Sequence, residues 1–359
     1  MKRDRGAAGP AEQGARPSHR LLPGPLLVRQ LGLAALLIGL GLLAGCAGPY
    51  HPQTALEPET EYGWKLQHLF ELILALAAVV FVSVEGMLLY TAWRFRARPG
   101  QPRPRQIHGN TRFEIAWTIA PAVVLAIIAV PTVRTIFDVA APPPGNSLRI
   151  EVIGHQWWWE YRYPDFNVVT ANEPHMPTST NVSFDLTSAD VIHSFWLPRL
   201  GGKRDVVPTH TNHIYVDAPD HPGEYFGQCA EFCGASHADM RTRAYVDSPA
   251  DFDAWVKNQQ APAPQPAPEV ARGAQVFMSN ACIGCHTIAG TNAQGQTGPN
   301  LTHVGSRSTI AAGMLDNTPD NVVRWVSDPQ AVKPEALMPK LGLSDDDLQA
   351  VAAYLESLK

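Results

Sequence analysis

The densest chemistry in this chain lies in Cys229, Glu231, Cys233, His237 and Met240, a C-x-E-x-C-x3-H-x2-M run. Two thiols, an imidazole and a thioether suit copper better than any hard cation. Two cysteines four apart can set both sulfurs between two metal ions. The run therefore reads as a dinuclear copper centre, with His193 as a further ligand from upstream. A disulfide is the usual fate of paired cysteines in an exported protein, but it would leave His237 and Met240 at their spacing by accident. Zinc is satisfied by cysteine and histidine alone and does not call for Met240. A centre of this composition points to electron transfer.

A second site follows. Cys282-Ile283-Gly284-Cys285-His286 is C-x-x-C-H, the attachment pattern of a c-type haem. Its two thiols add to the haem vinyls and the adjacent histidine reaches the iron. A redox dithiol would share the cysteines but not their surroundings. Gly298-Pro299-Asn300-Leu301 stands at the distance found in small cytochromes, and Met338-Pro339 precedes a terminal helix. A thioether suits the sixth position of a haem that only passes electrons. Met314 and Met338 are the candidates, and Met338 is the better placed; Met278 reads as packing in the first helix of that domain.

These elements must be carried to the right side of a membrane. Lys2, Arg3, Arg5, Arg16, Arg20 and Arg29 precede an apolar run, Leu31 to Ala44. That run is short against the ~20 residues a spanning helix needs, and it fits a signal-peptide core. Leu43-Ala44-Gly45-Cys46 resembles a bacterial lipobox, which would make Cys46 the acylated first residue of the mature chain. An ordinary cleavage site or an uncleaved segment are the alternatives. The expected layout is a signal peptide over 1–45 and an extracytoplasmic segment over 46–65. Of the five cysteines, two serve copper, two hold haem and Cys46 remains, so no pair is left for a structural disulfide.

Two apolar segments, about 69–93 and 115–136, are each long enough to cross a bilayer and form a hairpin over 66–137. Arg94, Arg96, Arg98, Arg103, Arg105 and Arg112 lie between them without an acidic residue. The positive-inside rule puts that loop in the cytoplasm and both outer ends of the hairpin outside. Glu71 and Glu85 fall within the first span. Glu71 can be solvated near the interface, whereas the deeper Glu85 suggests packing against another membrane protein. Pro121 and Pro131 are compatible with a helix in a bundle.

The exported part divides at Ala261–Pro268, an Ala/Pro alternation that reads as a semi-rigid linker over 261–269. Before it, over 138–260, Leu148, Ile150 and Val152 alternate with polar residues, as do Val182, Phe184 and Leu186, and Ile214 and Val216. This predicts an all-β Greek-key sandwich. After it, over 270–359, the pattern is helical. Ser344 and Asp347 form a capping box, and Leu348, Val351, Ala352 and Leu355 share one face. The chain is 359 residues with a formal charge of -5, and its exported part holds no long basic run, so nucleic acid is not an expected partner.

Together these features resemble subunit II of a caa3-type cytochrome c oxidase: a two-helix hairpin, a cupredoxin-like copper domain and a fused all-α class I cytochrome c domain. The stretches that carry the resemblance are His108-Gly109-Asn110-Thr111, Glu114-Ile115-Ala116-Trp117-Thr118, Gly154-His155-Gln156-Trp157-Trp158-Trp159 and Asp190-Val191-Ile192-His193-Ser194-Phe195. The resemblance implies that Cys229 and Cys233 bridge two coppers of a CuA centre, with His193 and His237 each capping one. Met240 would be a weak ligand to one copper and the Glu231 carbonyl to the other. It also implies a magnesium shared between the Glu231 side chain and the catalytic subunit. Trp157 would be the aromatic residue through which electrons enter, and Glu114 the acid at the mouth of a proton pathway. By themselves Trp157 to Trp159 read as half-buried strand aromatics, and Glu114 as an acid favoured by a helix N-terminus.

The function so implied is electron input to a respiratory haem-copper oxidase in a bacterial cytoplasmic membrane. Its partners would be catalytic subunit I, subunit III, an external donor such as a small cytochrome, and membrane lipid. The same module could serve a nitric oxide reductase. A copper carrier has no use for a covalent haem, and a quinol oxidase subunit lacks the copper ligands.

Overall fold

The computed structural model describes residues 25–44, 51–102, 106 and 108–359; Cys46, Arg103 and Arg105 lie outside them. The described residues divide into two units at His51/Pro52, each compact by itself. In the first, helix α1 covers Pro25–Ala44 and so starts before the apolar run read as a signal core.

In the second unit, α2 (Glu61–Arg94) and α3 (Thr111–Ala140) form the hairpin. Both are long and apolar enough to cross a membrane, and the apolar stretch of each is uncovered by other described residues. Pro121 and Pro131 sit inside α3 without ending it. α2 starts well before its apolar run because its first turn is seated on the copper domain. Thr60 caps it, accepting from the Gly63 amide at 2.9 Å and donating to the Leu200 carbonyl at 2.7 Å. The Asp217 carboxylate accepts from the Glu61 amide at 2.7 Å. An acceptor at a helix N-terminus satisfies amides that have no partner within the helix.

The next domain is a sandwich of ten strands: β1 (Leu148–His155), β2 (Trp158–Tyr163), β3 (Val168–Ala171), β4 (His175–Pro177), β5 (Asn181–Ser188), β6 (His193–Trp196), β7 (Arg204–Val206), β8 (Asn212–Asp217), β9 (Gly223–Cys229) and β10 (Arg241–Asp247). They form two sheets in the orders β3-β2-β1-β5-β8 and β4-β10-β9-β6-β7. The three alternating runs of the sequence lie side by side in the first sheet. Ile150 is opposite Phe184, and Phe184 opposite Ile214; Val152 is opposite Leu186. All of them are buried. A slip of one residue would turn that set to solvent, which pins the register. In the second sheet the antiparallel pairing of β6 with β9 sets Phe195 opposite Cys229. This pairing carries His193 to the cysteine loop. Helix α4 (Pro249–Gln260), absent from the strand-only reading, closes the domain by burying Phe252 and Val256.

The Ala/Pro segment is extended as expected, but it is not a free spacer. The Ala263 amide donates to the Ala289 carbonyl at 3.0 Å, and His303 Nε2 donates to the Ala261 carbonyl at 3.0 Å. Ala263 itself joins the core of the last domain. That domain is built from α5 (Ala271–Ser279), α6 (Cys282–Cys285), α7 (Pro319–Ser327), α8 (Pro329–Val332) and α9 (Asp345–Ser357). Ser344 caps α9 through the Asp347 amide at 3.2 Å. Leu348, Val351, Ala352 and Leu355 are buried, as the helical spacing predicts.

Helices α5 and α9 cross where Gly273 meets the Ala350 carbonyl. A Cβ at 273 would lie 1.9 Å from that oxygen. Gly273→Ala must push the helices apart, and overpacking of this kind costs about 1–3 kcal/mol. Denaturant unfolding of the chain, followed by haem absorbance, should show a lower midpoint for this domain. An unchanged midpoint would contradict the close crossing.

Candidate copper and haem sites

Cys229 ends β9 and Cys233 follows across a turn. Both are free thiols, with their sulfurs 3.8 Å apart. His193 Nδ1 is 3.9 Å from the Cys229 sulfur, and His237 Nδ1 is 3.6 Å from that of Cys233. The Met240 sulfur is 4.0 Å from Cys233, and the Glu231 carbonyl oxygen is 3.2 Å from Cys229. The donors thus flank the sulfur pair on both sides, an arrangement suited to two soft ions sharing two sulfurs. His193, Cys229, Cys233 and Met240 are buried, whereas the Glu231 side chain is exposed.

The backbone holds this set in place. The Cys229 amide donates to the Met240 carbonyl at 2.9 Å, and the Ala230 amide to the Ser194 carbonyl at 2.9 Å. Asp190 Oδ1 lies 2.8 Å from His193 Nε2, so the imidazole presents Nδ1 to the sulfurs. Burial alone would raise the Asp190 pKa, but His193 and the amides of Gln156 and Val191 outweigh it and hold the carboxyl below its ordinary value. The hydrogen bond from Cys233 brings Cys229 down to about 3. The thiolate so formed pushes Cys233 up, so the metal-free pair keeps one proton. Metal binding to two thiolates releases that proton.

The C-x-x-C-H residues line an apolar crevice together with Leu301, Trp325 and Met338. His286 Nδ1 donates to the Pro299 carbonyl at 2.9 Å, which leaves Nε2 free for iron. Burial lowers the His286 pKa and keeps the ring neutral, the form that binds metal. Gly298 is needed beside this ring, because a Cβ there would lie 2.6 Å from His286 Cε1. Arg307 also lines the crevice, and its buried Nε has no partner among the described residues, a donor that a haem carboxylate would satisfy. The residues present therefore fit a haem. Met338 reaches this crevice and Met314 does not line it; Met278 packs against the domain core.

The copper domain closes the other side of the same crevice with Gln156, Trp157 and Trp158. Trp157 is only 6% exposed. Its Nε1 donates to the Cys233 carbonyl at 3.0 Å, and Gln156 Nε2 donates to the same oxygen at 2.7 Å. Trp157 thus stands between the cysteine loop and the haem crevice, turned to the attached domain rather than to solvent. Trp158 and Trp159 are strand aromatics of β2, and Trp159 meets His193 edge-on at 5.9 Å. Lys333 of the cytochrome domain donates to the Trp157 carbonyl at 2.5 Å, and burial pushes its pKa down to about 7. Glu114 lies in the first turn of α3, where its carboxylate accepts from the Asn110 amide at 3.2 Å and helps start the helix. Cys46 lies outside the described residues.

Sequence reasoning left Asp190 without a role, although its D-x-x-H spacing to His193 was available as a signal. Lys333 had none: its contact spans 176 residues of chain.

Two membrane-crossing helices, a cupredoxin-like sandwich with a soft donor cluster and a small helical haem fold define a class: membrane-anchored electron carriers. Three family models match in succession: the transmembrane domain of cytochrome c oxidase subunit II over 53–135, its periplasmic domain over 169–244, and cytochrome c over 270–359. Cytochrome c oxidase subunit 2 of Alkalihalophilus pseudofirmus is 38% identical over 325 residues, which is 88% of this chain and 94% of that protein. The subunit 2 of Bacillus sp. strain PS3 is 36% identical, over 89% and 94%. The crystal structure of the periplasmic domain of the Bradyrhizobium japonicum subunit II is 32% identical, with a TM-score of 0.32, covering 33% of this chain and 97% of that one. The chain belongs to the cytochrome c oxidase subunit II family, in a form with a fused cytochrome c domain, and is a component of an oxidoreductase complex.

Two substitutions separate the sites. Cys229→Ser should abolish the mixed-valence copper signal in electron paramagnetic resonance and leave haem attached; survival of the signal would refute the bridging role. Met338→Ala should open the sixth haem position and lower the reduction potential. If Met314→Ala does so instead, the ligand is wrongly assigned.

Proposed function

We propose that this chain is the electron-input subunit of a respiratory haem-copper terminal oxidase. Electrons from an external donor, such as a small cytochrome, arrive at the C-terminal domain. They pass by way of Trp157 to the cysteine loop and on to catalytic subunit I, which reduces oxygen to water and pumps protons. When bound, haem c and the CuA pair would supply two one-electron sites.

The chain's own residues would act as follows. Cys282 and Cys285 would attach the haem, and His286 and Met338 would supply its iron ligands. Cys229, Cys233, His193, His237, Met240 and the Glu231 carbonyl would hold the coppers. Asp190 fixes the His193 ring. The exposed Glu231 carboxylate is available to a magnesium shared with subunit I, and Glu114 to a proton pathway there. The observation that carries this reading is Trp157, which donates to the Cys233 carbonyl and lines the haem crevice at once.

The setting proposed is a bacterial cytoplasmic membrane, with copper and haem domains on the outer face, subunit III alongside and Cys46 lipidated. The arginine-rich loop between the spans supports that orientation. The uncovered apolar faces of α2 and α3 are suited to lipid and to partner subunits.

The test is to purify the complex from its native membrane and feed it a reduced cytochrome. Brisk oxygen uptake is expected. Nitric oxide turnover without oxygen uptake would replace the oxidase by a nitric oxide reductase with the same electron-input module.

A further inference from the structure

The contact between the two exported domains is built around buried charge. Glu173, in the turn between β3 and β4, is only 4% exposed. Among the described residues, its hydrogen bonds come from two consecutive residues of the cytochrome domain. Its Oε2 accepts from the Ser308 amide at 2.9 Å. Its Oε1 accepts from the Ser308 hydroxyl at 2.8 Å, the Thr309 amide at 2.8 Å and the Thr309 hydroxyl at 2.5 Å. Tyr245 of β10 donates to the Ser308 hydroxyl at 2.7 Å and orients it. The neighbouring Arg307, half-buried on the cytochrome side, lies close enough to feel the opposite charge of Glu173.

A second polar point stands apart from the first. Lys333 donates to the Trp157 carbonyl and, at 3.2 Å, to the Ala311 carbonyl. Ser236 donates to the Pro334 carbonyl at 2.5 Å beside it. One point would let the cytochrome domain pivot and two would leave one axis free; the Arg241 amide, donating to the Ala312 carbonyl at 3.2 Å, adds a third. A carboxylate buried without partners is strongly unfavourable, so Glu173 accepts only an arrangement that delivers its donors. Register and orientation, rather than added stability, are the best-attested use of such buried polar groups.

We propose that Glu173 is a positioning residue: it latches the cytochrome domain onto the copper domain so that the haem crevice faces Trp157, with Lys333 as the second point. This rests on the proposed haem-to-copper route. The Ala/Pro segment alone gives proximity, which raises the encounter frequency but leaves orientation open. The latch supplies orientation.

The test uses the full chain in its oxidase complex, with Glu173→Ala on one side and the double change Ser308→Ala with Thr309→Val on the other. Two quantities are read: the haem-to-copper distance distribution, from dipolar electron-spin spectroscopy, and the rate of haem-to-copper transfer after rapid photoreduction of the haem. Each variant should broaden the distances and slow transfer, with the absorption and spin spectra of both centres unchanged. The docked-to-undocked ratio should fall on the order of 100-fold, about 2.8 kcal/mol at 1.4 kcal/mol per decade. Glu173→Gln, which keeps one acceptor, should recover part of the loss. Combining both sides should cost no more than either alone, because the same bonds are removed. Unchanged distances and rates, or fully additive losses, would overturn the latch. If the parent complex itself moves no electron from haem to copper while Glu173→Ala still broadens the distances, the route fails and the latch stands.

Discussion

The pairing of β6 with β9 is the constraint on which the rest of this structure depends. With Phe195 opposite Cys229, His193 at the head of β6 falls beside the sulfur at the end of β9. The remaining donors are local to the loop that follows. Asp190 then needs only to reach three residues along the chain to hold the imidazole ring. Shifting this pairing by one residue would reverse the side chains of the strand and take His193 out of the cluster. The apolar packing of the sandwich, with Phe195, Tyr161 and Phe184 around the strand, is what enforces the register.

Cys233 then ties the copper site to the second redox domain through two different atoms. Its sulfur belongs to the donor cluster, and its carbonyl receives both Trp157 and Gln156. The Trp157 carbonyl in turn receives Lys333 from the cytochrome domain. A short chain of hydrogen bonds therefore runs from one site to the rim of the other. Few mobile groups intervene, since Trp157, Cys233 and Lys333 are all buried. The fused domain is seated against the copper domain through specific polar contacts, and its linker is packed on the cytochrome core. Tethering alone does not describe it.

Much of the candidate chemistry was legible before folding. The copper run and C-x-x-C-H are contiguous stretches whose spacing is dictated by the metal and the haem, so they survive as patterns. The hairpin was legible because a bilayer demands long apolar segments, and three strands were legible because one face of each is buried. Strands β4, β6 and β7 have three or four residues each, too few for an alternation to stand out. Helix α4 was missed inside a segment read as β, although Ser248 and Asp251 form its cap. Met338 is preferred over Met314 from its place before the last helix, and Met338 is the one of the two that lines the crevice.

The sequence by itself determined which atoms could bind copper and haem, because ligand type and local spacing are properties of the covalent chain. Tertiary structure decided what those atoms face. His193 joins the cysteines only through a strand register, and Trp157 turns to the haem crevice only through docking. Glu173 and Lys333 acquire meaning only when donors and acceptors more than a hundred residues away arrive beside them. Contacts of that range depend on burial and geometry that no local pattern encodes.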